Sequence, residues 1–134
     1  MERTECYTYF VIKGVFDPSE ITTLLKLQPQ KCWSIGQKRK NGIDEYNFAL
    51  WEYGRQDNYD VDVYKQCLDT IAELKDKIPI LQQIRTTYDA QYTLEIVPTI
   101  AINDTTPAIY FEREIIKFCY LTNTIIDIDM YVNS

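Results

Sequence analysis

Histidine is absent from this 134-residue chain. That removes the usual general base near neutral pH, the Ser-His and Cys-His nucleophile pairs, and imidazole-ligated metal. Chemistry on carboxylates, Tyr, Lys or a lone Cys remains open. Cysteine is scarce and scattered: Cys6, Cys32, Cys67 and Cys119 form no C-x-x-C, so zinc spacing is missing as well. No apolar run approaches the length of a membrane-spanning helix, which speaks against a membrane partner. The opening residues, M-E-R-T-E-C-Y, hold no apolar signal segment. A reducing cytoplasm with four free, mostly buried thiols is the expectation, and two disulfides in an exported protein the alternative. Basic residues are also short, 14 against 20 acidic ones, for a net charge of −6. Phosphate affinity comes largely from Lys and Arg, so nucleic acid is not the expected partner. A basic protein partner is compatible with that balance.

What is present describes one α+β domain over residues 1–134, with no repeat, linker or low-complexity tract. C-Y-T-Y-F-V-I-K, Cys6 to Lys13, is rich in aromatic and β-branched residues and predicts a first strand. In D-P-S-E, Asp17 suits an N-cap, Pro18 the first helical position, and Glu20 the positive end of a short helix that stops before Pro29. A second helix is expected from near Asp60, with Tyr64, Cys67, Leu68, Ile71, Leu74 and Ile78 at helical spacing, broken or kinked at Pro79, with Leu81 and Ile84 marking another turn beyond. Tyr92, Leu94 and Ile96 alternate as a strand. Phe111, Ile115 and Phe118 mark a third helix, and Ile126, Ile128 and Met130 alternate as a last strand. The order β-α-β-β-α-β-α-β begins as a ferredoxin-like βαββαβ unit, with helices on one sheet face and an added C-terminal helix and strand.

The basic stretch K-C-W-S-I-G-Q-K-R-K-N-G, Lys31 to Gly42, is either an anion-gripping loop or a hairpin. Asn41-Gly42 is a strong type I′ turn signal. With it at the tip, Arg39 faces Asp44, Lys38 faces Glu45, Ile35 faces Phe48 and Trp33 faces Leu50. These pairs join opposite charges or large apolar groups, and a one-residue slip destroys them. The hairpin therefore accounts for most of the basic cluster, and no G-x-x-x-x-G-K pattern supports a phosphate loop. On this register Trp33, Ile35, Phe48 and Leu50 go beneath the helices. Trp51 and Tyr53 then share the open face with Tyr7 and Tyr9, beside the small residues Ser34, Gly36 and Ala49.

Aromatic rings with one polar atom suit a recognition surface, so Tyr9, Trp51 and Tyr53 are the candidate apolar anchors. The competing account is that such a face packs on the chain's own last helix or on a second subunit in a homodimer. Asp127 and Asp129 stand at i and i+2 on one strand, on the same side as Glu95. They would bind a divalent cation, share a proton, supply charge to a basic partner, or simply solvate a strand face. Cys32 would be a nucleophile only with a stabilised thiolate, and a buried, inert thiol is the plainer expectation. No cofactor is implied.

Several of these motifs resemble a family of small, mostly bacterial proteins known as domain of unknown function four-two-seven-nine. They are the strand before D-P-x-E-I, the W-x-x-G at Trp33 to Gly36, the Trp-containing strand Phe48 to Tyr53, and the closing T-I-I-D-I-D-M-Y, Thr124 to Tyr131. The family often has an acidic residue after the motif's Gly; here it is Gln37. The resemblance brings no assigned activity or catalytic set. Some members lie near toxin systems, which implies an immunity-like inhibitor. The expected function is thus a cytoplasmic, non-catalytic binding protein. A carboxylate- or metal-dependent enzyme, or a small-ligand binder on the open face, is the alternative.

Overall fold

A computed structural model describes residues 3–59 and 61–133. The chain opens with β1 (Glu5–Val15), whose alternating burial follows its apolar even positions. Helix α1 (Pro18–Leu25) starts as its sequence dictates: the Asp17 side chain accepts from Ser19 N–H at 3.0 Å, and Pro18 occupies the first turn. It ends at Lys26 in the left-handed conformation, φ +56°. Strands β2 (Lys31–Trp33) and β3 (Ala49–Asn58) flank the hairpin. The expected helix start near Asp60 lies outside the described residues; helix α2 (Val63–Ile71) is capped by Asp62, whose side chain accepts from Lys65 N–H. Pro79 does not merely kink this helix. After a 3₁₀ turn at Lys75–Lys77 it sits in the first turn of a new helix, α3 (Ile78–Thr87), where its missing N–H is harmless. Then come β4 (Asp89–Ile100), α4 (Arg113–Thr122), β5 (Ile125–Ile128) and β6 (Tyr131–Val132).

The strands form one mixed sheet in the order β2-β3-β1-β4-β5, with β6 also beside β4. The pairs β2–β3, β3–β1 and β1–β4 are antiparallel; β5 and β6 run parallel to β4. The core lies on one side of this sheet. Phe10 and Ile12 from β1, Trp51 from β3, and Tyr92, Leu94 and Ile96 from β4 meet Ile21 and Leu25 of α1, Cys67 and Ile71 of α2, Leu81 and Ile84 of α3, and Ile115 and Phe118 of α4.

The hairpin keeps the expected tip pairing by a different turn. Lys38 bridges Glu45, Arg39 N–H donates to the Asp44 carbonyl, and Trp33 pairs with Leu50. Only Gly42 has positive φ, +72°, so the turn is not type I′. Gly42 N–H instead donates to the Arg39 carbonyl, and the Asn41 side chain accepts from Ile43 and Asp44 N–H, an Asx turn. Below the tip the ladder is interrupted: Gln37 N–H donates to the Ser34 carbonyl, Gly36 takes φ +85°, and Ile35 is turned outward.

The two tryptophans lie on opposite sides, but the sides are the reverse of expectation. Trp51 is fully buried beneath the helices, its indole N–H donating to Thr22 Oγ1 at 3.1 Å. Tyr53 points the same way and donates its hydroxyl to Glu73 on the helix layer at 2.7 Å. The cause is the β1–β3 register, in which Ile12 faces Trp51 and Phe10 faces Tyr53. Since Phe10 and Ile12 point inward, these partners must too. Trp33 and Phe48, expected beneath the helices, stand instead on the open side. There Trp33 stacks on Tyr46 with ring centroids 3.8 Å apart, Phe48 packs edge-on, and the Trp33 indole N–H donates to the Phe48 carbonyl.

Candidate open-face recognition site

Gly54 sets the composition of the open face. Between Thr8 and Phe10 the β1–β3 register shifts by one residue, a β-bulge in β3. Gly54 has φ +78°, and a Cβ there would lie 2.3 Å from the Thr70 carbonyl oxygen, so only glycine lets α2 approach this strand. The extra residue resets the alternation. Glu52 faces the open side before the bulge, and Arg55 and Asp57 face it after. Arg55 lies 4.1 Å above the Tyr7 ring and pairs with Asp57 at 3.1 Å.

Tyr9 is at the centre, half-buried, directly opposite Glu95 of β4 and diagonal to Glu52 of β3. Its ring lies beside that of Tyr7, 6.0 Å away and nearly parallel. Burial first, then the charges of Glu95 and Glu52, push its phenol up to about 12, so it stays a donor across the physiological range. Glu52 is only 9% exposed, and burial raises its pKa, opposed by Lys31 and Arg55.

Glu95 is the most perturbed carboxyl of the face. Burial, its hydrogen bond with Asp127 and the Asp127 charge raise it from 4.5 to about 7; Lys13 opposes the shift and Asp129 adds to it. The parallel register sets Asp127 directly beside Glu95. Asp129 follows, donating its N–H to the Ile96 carbonyl and accepting from the Tyr131 hydroxyl at 3.0 Å.

Of the five residues expected to form a site, Tyr9, Asp127 and Asp129 gather on the open face. Trp51 and Tyr53 belong to the opposite, helix-covered side. Glu52 and Arg55 were missed, because the bulge that aims Arg55 is announced only by a lone glycine inside a strand. A cavity of about 1030 Å³ at the end of the sheet was also missed; Arg3, Tyr7, Arg55, Asp57, Tyr59 and Thr105 line it. Among the described residues no group of three His, Cys, Asp or Glu side chains is arranged to hold a metal ion. All four cysteines are free. Cys6, Cys67 and Cys119 are buried, their thiols raised to about 11, 12 and 11 by burial, whereas Cys32 is exposed rather than buried as expected.

Among the described residues these elements define an α+β protein with a mixed six-stranded sheet and four α-helices. Over residues 4–133 the chain matches the family described as Domain of unknown function (DUF4279), and it belongs to that family. A search of curated proteins returned no match, and neither did a search of solved structures. No helix among the described residues is long and apolar enough to cross a membrane.

Proposed function

We propose that this chain is a non-catalytic protein-binding module of a bacterial cytoplasm, an immunity-like inhibitor that receives a basic toxin or enzyme on the acidic half of its open sheet face. The observation that carries this reading is the gathering of partly buried Glu95 with Asp127 and Asp129 on the face of Tyr9, where burial first, and then the neighbouring carboxylates, raise the Glu95 pKa to about 7. A lysine or arginine supplied by a partner relieves that repulsion and gains charge-assisted hydrogen bonds. Tyr9 supplies apolar area and a hydroxyl donor at the same place. The free state of all four cysteines supports a reducing compartment.

The segment from β1 to β4, we infer, forms a ferredoxin-like unit. The antiparallel order β2-β3-β1-β4, with α1 and then α2–α3 as the crossovers, supports that assignment.

The test is capture of partners from the native host with the wild type and with a Tyr9→Ala, Asp127→Asn, Asp129→Asn variant. A specific basic partner retained by the wild type and lost by the variant is the expected result; identical partner lists would count against this face. A small-ligand binder is the second reading, favoured by the cavity at the sheet end with its two guanidinium groups. Ligand-specific thermal stabilisation lost on Arg55→Ala would favour it.

A further inference from the structure

We propose that the outer edge of β5 is itself a docking strand, taking an extended segment of the partner, with basic and apolar side chains in alternation, as the next strand of the sheet. This rests on the protein-binding reading above and specifies its mode: main-chain pairing at an edge rather than side-chain contact across the face alone.

β5 ends the strand order, and among the described residues no strand lies on its outer side. Asp129 donates its N–H inward to Ile96. Backbone groups alternate along a strand, so Asp127 and Ile125 share that inward side. The N–H and C=O of Ile126 and Ile128 are therefore directed outward. The opposite edge is blunted. There β2 is three residues long, carries Lys31, and runs into the Ser34–Gln37 turn with Gly36 at positive φ. Short length, lysine and a local twist are the usual ways an edge is closed to further pairing. β5 is short as well, four residues, but neither lysine nor a local twist guards it: from Thr122 to Asn133 there is no Lys, Arg, Pro or Gly. Apolar side chains on and beside this edge stand free as well. Ile125, Ile128, Met130, Tyr131 and Val132 are between 43% and 69% exposed.

Charge selects the occupant. Asp127 faces the open side in register with Glu95, and Asp129 lies close enough to raise the Glu95 pKa. A second copy pairing antiparallel through a two-fold axis centred on residue 127 or 128 would set Asp127 against Asp127 or against Asp129, adding like charges to an already repulsive group. A heterologous strand with Lys or Arg opposite Asp127 and Asp129, and apolar residues opposite Ile126 and Ile128, satisfies both faces and the backbone together.

The experiment uses the intact chain and three synthetic peptides: one alternating Lys and Val, one alternating Glu and Val, and the Lys-Val peptide N-methylated at alternate residues to remove its hydrogen-bond donors on one edge. Binding is followed by amide chemical shift and by hydrogen exchange at Ile126 and Ile128. The Lys-Val peptide is expected to slow exchange at those two amides by about tenfold or more, and to bind about tenfold more weakly to an Asp127→Asn, Asp129→Asn variant. The Glu-Val and methylated peptides are expected to do neither. Equal binding of the methylated and unmethylated Lys-Val peptides overturns the edge mode while leaving recognition by the face intact. So does capture of a basic host partner that leaves Ile126 and Ile128 exchange unchanged. Concentration-dependent dimers in light scattering that protect the same two amides would also overturn it, by giving the edge to a second copy. Failure of every peptide together with identical host partner lists for wild type and face variant removes both proposals.

Discussion

Replacing Glu95 by Gln removes a partly buried charge together with its repulsion from Asp127 and Asp129. The unfolded chain releases this proton near pH 4.5, whereas the folded chain holds it to about pH 7. Between those values the native state binds more protons than the unfolded one, so the contribution to stability is full below pH 4.5 and is lost as pH rises through 7. A shift of that size corresponds to about 3 kcal/mol in a dry site. Glu95 is partly exposed, and solvent screening reduces the expected effect to about 1–2 kcal/mol. Urea unfolding at pH 5, 6, 7 and 8 should therefore show the two proteins converging at low pH. Glu95→Gln should then become the more stable by about 1–2 kcal/mol at pH 8. Asp127→Asn should flatten the same slope, because its charge is part of what raises the Glu95 pKa. A Glu95→Gln protein that keeps the wild-type slope, or is less stable than wild type at pH 8, would refute this account of the face.

Two core perturbations test the reversed placement of the tryptophans and the role of the bulge. Trp51→Ala should cost about 3–5 kcal/mol by chemical denaturation, and Trp33→Ala, on the partly exposed hairpin, about 1 kcal/mol; comparable losses would place both rings in one environment. Gly54→Ala meets both a positive φ and the Thr70 carbonyl, so a loss of about 2 kcal/mol or more is expected in the same assay. Faster exchange should accompany it in α2, which sits over Thr8 through the 2.8 Å Thr8–Thr70 hydroxyl bond.

Much of the architecture was readable locally. Asp17 and Pro18 start α1 as their chemistry requires, and the β1 alternation that turns Phe10 and Ile12 inward also sends Tyr7 and Tyr9 outward. Pairing opposite charges at Arg39–Asp44 and Lys38–Glu45 located the hairpin register correctly, although the turn that realises it is built on an Asx bond rather than on two positive φ angles. The acidic trio was also legible, since i and i+2 on a strand share a side whatever the strand packs against.

The sequence alone determines parity: Trp33 and Trp51 must lie on opposite sides of the sheet, because their strands are in register and side chains alternate. It does not determine sign. Which side receives the helices is decided when β1 inserts between β3 and β4 and sets Ile12 against Trp51, a pairing of residues 39 positions apart that no local pattern records. The bulge at Gly54 is decided there too: one extra residue turns Arg55 and Asp57 onto the face beside Tyr9, and that shift comes from α2 pressing its Thr70 carbonyl against a strand that can yield only where there is no side chain.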